Sequence, residues 1–455
     1  MIESAWPEPG AAPARIEIPL EEYQSRLAAL RSAMSRRGLT HLAIYGDREH
    51  SANLLWIANF DPRFEEALLL LRVEDGASPL LLTGNECAAY LPVSPLWKAQ
   101  QLRSEVYQPF SLLDQPRSTG RALPGILASE GITSATRVGA VGWKYYGDPR
   151  AIDLPAYLAD ALRAAAAPHA VTDATDLLMH PHYGLRTHCS AAEIALFEES
   201  NWKASEAMRR VFFAARAGMT DFELLAEARY DGTPLSCHMT LKTGPNRTSL
   251  ASPSGARLER GYPWSANVAY WGSNICRANW VAESDADLPA EARDYLAAFA
   301  GPYYAAMGDW LAALRIGTPG GELSALIQSR LPFDHFHIFL NEGHLIHYDE
   351  WVSSPIYAGS TVPIRSGMVF QTDVIPSHKT YFSTRMEDGL AIADSALRAE
   401  IARRFPAVMS RIDARRRFAR ETLGLPLADE HLPLSNTFGV VAPFLLRPDF
   451  LFALR

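Results

Sequence analysis

GHLIHYDEW (343–351), SGMVFQTDV (366–374) and STRMEDG (383–389) follow one another in a single stretch, and their reading decides the fold. They supply His344, Asp373 and Glu387 in that order. The two carboxylates sit inside strand-like apolar runs, where an uncompensated charge is costly. They therefore need a cation, the guanidinium of Arg385, or a shared proton. A histidine and two well-separated carboxylates can converge on one divalent ion or on one substrate. Facing each other without a metal, one carboxylate holds a proton and titrates high, which suits general acid–base chemistry. His347 stands three residues past His344 as a second imidazole. Asp349 and Glu350 read as cleft carboxylates or, preferably, as a solvated turn.

Upstream lies Ala266-Asn267-Val268-Ala269-Tyr270-Trp271-Gly272-Ser273-Asn274-Ile275-Cys276-Arg277, with the look of a hairpin. Taken together and in order, these blocks resemble the pita-bread family of methionine aminopeptidase, aminopeptidase P, prolidase and creatinase. There, GHGIG, GMVFTIEP and RIED blocks supply one His and two Glu. The resemblance spans about residues 20 to 405. It implies an α/β creatinase-like N-terminal domain and an α+β pita-bread C-terminal domain with an internal pseudo-twofold repeat.

The metal-dependent members take two Asp ligands from the hairpin, in a D-x-G and then an S-D-I-T-R pattern. Ser273-Asn274-Ile275-Cys276-Arg277 overlays the second with Asn274 in place of Asp, and Asn267 is the best counterpart of the first. A neutral amide is a weak oxygen donor and cannot bridge two cations as a carboxylate does. A two-metal cluster is therefore not expected. The site holds either no metal or one divalent ion (Mn, Fe, Co or Zn) on His344, Asp373 and Glu387. The family's upstream catalytic His is also missing. Thr243-Gly244-Pro245-Asn246 is present, but Ala251 and Ser252 stand where that His would fall. Creatinase lacks the metal yet keeps that His; here His238 is the imidazole in the region that could substitute, or it is a strand histidine. Arg385, Asn267 and Asn274 are expected to contact substrate. Arg277 and Trp271 read as cleft-wall residues or as packing residues.

Composition sets the remaining bounds. The chain has 455 residues, 48% of them hydrophobic and 21% charged, enough for two domains and a large core. Its 43 basic and 51 acidic residues give a net charge of −8, with no basic excess to neutralise phosphates, so nucleic acid is not an expected partner. No apolar run reaches the roughly 18–20 residues a membrane helix needs, and the N-terminus lacks a signal-peptide pattern. Cys87, Cys189, Cys237 and Cys276 show no CxxC spacing and read as free thiols in a reducing cytoplasm. A nucleophilic or redox role for Cys237 or Cys276 is the minor reading beside apolar packing.

Along the chain, residues 1–18 read as a Pro/Ala/Gly-rich arm, 19–180 as the α/β domain and 181–455 as the second domain. Apolar residues at helical spacing predict a helix over Glu21–Arg37, ended by Gly38. His41–Tyr45, Leu68–Val73 and Pro79–Leu82 read as buried strands. A long helix is expected from Ala191 to Arg216, after Ser190. Arg216-Ala217-Gly218-Met219-Thr220-Asp221-Phe222-Glu223-Leu224 can be set beside Arg315-Ile316-Gly317-Thr318-Pro319-Gly320-Gly321-Glu322-Leu323, with Arg, Gly, Glu and Leu at matching offsets. Thr220 and Glu223 form a capping box. The apolar tail after Asp429 is expected to pack on a neighbour or second subunit, as in a homodimer.

The resulting expectation is a hydrolase of a C–N bond in a small amide, amidine or short peptide. It would act through His344, His347 or His238 with Asp373 and Glu387. The alternatives are an Xaa-Pro peptidase with a mononuclear metal, a lyase on the same scaffold, and a non-catalytic binding module like a histone chaperone subunit that resembles this family.

Overall fold

The computed structural model describes residues 1–115, 120–245 and 250–455. They form two compact units, Ile18–Thr187 and a second made of Met1–Glu17 with His188–Arg455. The boundary falls a few residues past the expected one. The first seventeen residues are not a separate arm but part of the second unit. Ile2 and Glu3 pair with Leu451 and Phe450, and the Trp6 indole N–H donates to the Pro448 carbonyl at 2.6 Å. Trp6 is buried against Phe212 and Phe213, so an apolar side chain at the terminus holds it down.

The first unit is built on a six-stranded mixed sheet. Its strands run, in spatial order, Arg103–Val106, Leu80–Thr83, Ala67–Arg72, His41–Gly46, Val138–Val141 and Thr172–Asp173. The strands His41–Gly46 and Leu80–Thr83 are buried along their whole length, as is expected where both sheet faces are covered. Helix Leu20–Arg37 ends at Gly38, whose φ of 69° is left-handed, so a residue without a Cβ closes it.

The second unit is two copies of one plan. Helix Ala191–Ala214 opens the first, with a capping box between Ser190 and Glu193. The expected Thr220–Glu223 capping box opens the short helix Asp221–Ala226. The repeat is visible in the backbone hydrogen bonds. Gly218 N–H donates to Leu258 C=O and Leu258 N–H to Met219 C=O, both at 2.8 Å. Gly317 N–H donates to Ile364 C=O and Ile364 N–H to Thr318 C=O, both at 2.9 Å. The Asp221 N–H to Ala256 C=O bond is likewise matched by Gly320 N–H to Val362 C=O. Gly218 and Gly317 occupy the same left-handed conformation, with φ of 91° and 95°.

Each copy then contributes a half-sheet. The first contains Thr240–Thr243, Pro263–Val268 and Ile275–Trp280, antiparallel and adjacent. The second contains His344–Leu345, Val369–Gln371, Gly389–Ile392 and His431–Pro433. An antiparallel bridge between Cys276 and Glu387 joins the half-sheets. The C-terminal tail packs on its own chain. Leu434, Val440, Val441 and Leu445 are buried, and Leu445 N–H donates to Trp280 C=O at 2.8 Å. It closes the free edge of the first half-sheet, which satisfies its backbone groups internally. Among the described residues, no helix is long and apolar enough to cross a membrane.

His431 lies buried on the last strand. Its Nε2–H donates to the Leu314 carbonyl, and its Nδ1 accepts the Ala428 N–H at 3.1 Å. Burial lowers its pKa below the ordinary imidazole range. A base with a depressed folded pKa contributes stability that is full above the unfolded pKa and is lost as pH falls below it. Urea-unfolding free energy should therefore fall between about pH 7 and about pH 5.5, and fall less in His431→Gln, which has no ring to titrate. Equal falls in the two proteins would remove His431 as a cause.

Candidate functional site

The bridge between Cys276 and Glu387 lies at the centre of a buried polar cluster. Strand pairing sets Thr240, Asn267 and Cys276 in one row, and His344, Gln371 and Gly389 in another. Side chains on a strand alternate between faces, so Asn274 and Cys276 share one side while Arg277 points to the other.

His344 is fully buried. Its Nδ1–H donates to the Leu345 carbonyl at 3.2 Å. Its Nε2 stands 3.3 Å from Glu350 Oε1 and 3.5 Å from Asp373 Oδ2, between the two carboxylates but aligned in hydrogen-bond geometry with neither. Trp351 stacks on the ring at 4.1 Å. Burial opposes a charge on His344, but Glu350 and Asp373 outweigh it and push its pKa up to about 10. Glu350 is held below the usual carboxylate range: burial disfavours its charge, and His344 more than offsets that. Glu387 is pushed well up, by burial first and then by Asp373, Cys276 and Glu350, against Arg385. Asn274 Nδ2 donates to Glu387 Oε1 at 2.7 Å and approaches Glu350 Oε1 at 3.4 Å. Arg385 Nη1 donates to Cys276 Sγ at 3.0 Å, while its buried Nε has no hydrogen-bond partner.

Several expectations are corrected. Glu350 is no solvated turn: its side chain is a quarter exposed and leans on His344. His347 does not join His344. Its Nε2 lies 2.9 Å from Glu193 Oε1, against the edge of Phe197. His238 is exposed, and it is Cys237, one residue earlier, that meets the cluster, accepting from Asn267 Nδ2 at 3.5 Å. Asn246 lies outside the described residues. Arg277 cannot bind substrate, because all five of its N–H groups are used. They go to the carbonyls of Val440, Cys276, Glu387 and Thr437 and to Asp388 Oδ2. Trp271 is half-buried and packs edge-on against Tyr348 at 5.8 Å.

Sequence reading missed Gln371 and Asp388. With its amide oriented to suit its neighbours, Gln371 donates to the carbonyls of Asn274 (2.9 Å) and Asp388 (3.1 Å) and accepts the Asn274 N–H (2.8 Å). Asp388 accepts from Arg277, Ser435 Oγ (2.6 Å), Thr437 Oγ1 (3.1 Å) and Gly439 N–H (3.2 Å). The one available signal was a second acid directly after Glu387 in the MEDG run.

No protein-family model and no curated protein matches the sequence. Solved structures do. Dipeptidase PepE from Mycobacterium ulcerans is 17% identical, with a TM-score of 0.61 over 84% of this chain and 95% of that one. A prolidase from Thermococcus sibiricus is 13% identical, with a TM-score of 0.63 over 91% and 96%. The N-terminal domain of the FACT complex subunit SPT16 from chickpea (Cicer arietinum) is 14% identical, with a TM-score of 0.57 over 83% and 95%. This chain has the pita-bread fold. Identities this low carry the architecture and not the activity.

The pita-bread resemblance implies a pair of divalent ions, and the residues present do not fit one. The side-chain oxygen of Asn267 is taken by the N–H (3.1 Å) and hydroxyl of Thr240. Asn274 turns its nitrogen, not its oxygen, to the carboxylates. Nor do His344, Asp373 and Glu387 close into the expected single-ion set. Among the described residues, the set of three His, Cys and carboxylate ligand atoms that all lie within 4.8 Å of one another belongs to Cys189, Glu193 and His347. The reason is local: Glu387 is drawn to Asn274, and Glu350 takes its place beside His344.

Arg277 and Asp388 are a buried ion pair, 2% and 0% exposed. Removing one partner leaves a buried charge, which typically costs about 3–5 kcal/mol. Asp388→Ala should lower the unfolding free energy by an amount in that range, seen as a lower urea midpoint with little change in slope. A loss under about 1 kcal/mol would show that the pair does not hold the seam.

Proposed function

We propose that this pita-bread chain is a hydrolase of a C–N bond in a small amide, amidine or short peptide, acting without a two-metal cluster. One observation carries the reading: a fully buried histidine held between two carboxylates, at 3.3 and 3.5 Å, with a further buried acid, Glu387, at the bridge between the half-sheets. Such convergence of perturbed titratable groups is costly to fold and is characteristic of catalytic sites.

The roles follow from the donors and acceptors. With both ring nitrogens facing acceptors, His344 is an imidazolium, and so an acid rather than a base. It is placed to protonate a leaving nitrogen. Asp373 Oδ1 is buried without a hydrogen-bond partner and is the acceptor left for the proton of an attacking water. Water adds to the carbon, its proton passes to Asp373, and the C–N bond breaks as nitrogen takes the proton of His344. Arg385 Nε, also without a partner, is the donor left for a developing oxyanion or a substrate carboxylate.

A second reading is favoured by the same amides that exclude the metal pair. It is a non-catalytic module that binds a peptide or partner, as the fold shared with the SPT16 domain allows. A panel of small amides, amidines and Xaa-Pro dipeptides, assayed for amine or ammonia release, separates the two. Turnover of a panel member, abolished in His344→Ala with unchanged circular dichroism, supports the hydrolase. Undiminished turnover in that variant removes His344 from the mechanism. Saturable binding with no turnover favours the module.

A further inference from the structure

We propose that the amide nitrogen of Asn274 occupies the place of a cation at the seam, and that it and the tethered oxygen of Asn267 are what keep divalent metal out. This holds whatever reaction the site performs.

Glu350 and Glu387 come from different segments, yet both approach Asn274 Nδ2, at 3.4 and 2.7 Å. Buried carboxylates converge on one point only when something positive or proton-bearing stands there. Here that point is an amide NH2, with Glu350 also paired to His344 and Arg385 close by. Donors and carboxylates therefore alternate through the cluster, and the acids are compensated from within the chain. A metal ion entering would meet N–H dipoles pointing at it. To serve as a ligand, Asn274 would have to turn over, breaking the 2.7 Å bond to Glu387 and facing its oxygen toward two carboxylates. Asn267 offers no alternative, since its oxygen already accepts two hydrogen bonds from Thr240.

The reverse change is then decisive. In Asn274→Asp the NH2 that separates Glu350 from Glu387 is replaced by a further acidic oxygen. With Asn267→Asp as well, the seam gains two carboxylates among three already buried or half-buried there. Hard oxygen donors beside one imidazole suit Mn²⁺, and the added negative charge exceeds what His344 and Arg385 supply.

The test uses the full-length chain treated with chelator, equilibrated with MnCl2 and freed of loose ions by gel filtration. Retained manganese is measured by elemental analysis, and free Mn²⁺ by its electron paramagnetic resonance signal. The wild type and Asn274→Ala, which loses the donor without gaining an acid, should retain none. The Asn267→Asp/Asn274→Asp double variant should retain it, and only in that protein should manganese raise the thermal midpoint. Stoichiometric retention by the wild type overturns the proposal, as does a folded double variant that retains none. If the double variant folds only with manganese present, that dependence supports it. If it does not fold at all, Asn274→Asp alone decides by the same criteria.

Discussion

The site depends on the ion pair behind it. Arg277 and Asp388 face away from the cluster, one on each half-sheet, and between them they collect the backbone of Cys276, Glu387, Thr437, Gly439 and Val440. A buried guanidinium with all five donors used, facing a carboxylate that accepts four hydrogen bonds, admits little movement. Because adjacent strand residues point to opposite faces, fixing Arg277 fixes Cys276, and fixing Asp388 fixes Glu387. The Gln371 amide, bridging the main chains of Asn274 and Asp388, locks the same seam from the middle. The catalytic-type side chains are thus held by the backbone of two repeats at once, and the tail that closes the first half-sheet is part of the clamp.

Clamping acids this close creates an electrostatic problem that the chain solves with its own residues. Glu350, Asp373 and Glu387 are opposed by His344, Arg385 and the Asn274 amide. The acid nearest that amide, Glu387, is driven toward its neutral form, while the acid nearest His344 is driven toward its charged form. Two acids with environments that push them apart are the usual physical basis for dividing donor and acceptor roles. Trp351, lying flat on His344, excludes water from one face of the ring and strengthens the interactions within it.

Much of the fold was legible because periodicity and turn chemistry are local. The Gly38 stop, the Thr220–Glu223 capping box and the matched Arg-x-Gly runs each have a short-range cause, and each is found where the sequence put it. The alignment of Gly218 with Gly317 extended further than expected, into matching backbone hydrogen bonds around both. The site was legible only in part, because its members are defined by partners far along the chain. His344, Asp373, Asn274 and Glu387 lie in one buried cluster, but not as the ligands of one ion. Glu350 was discounted because acidic runs beside a turn are usually solvated, and nothing local shows that His344 reaches it. Arg277 reads equally as a cleft-wall or a packing residue, and His347 as a second imidazole of the His344 block. The first is consumed by Asp388 and the tail, and the second is drawn to Glu193 at the start of a helix. The part of the apolar tail's burial that lies within the chain was not legible, because the edge it covers lies some 160 residues upstream of it.

A shared backbone leaves the chemistry of its site open. This chain shares its fold with the solved structures at identities of 13–17%. At this seam the sign of the attraction can turn on a single atom. An oxygen at the end of residue 274 would present negative charge to a cation; a nitrogen there presents two hydrogens to carboxylates. Asn and Asp have nearly the same shape, so the exchange would reverse the sign of what the seam attracts without changing its volume. A scaffold that separates its structural clamp from its reactive face can tolerate such a reversal, because Arg277 and Asp388 do not take part in it.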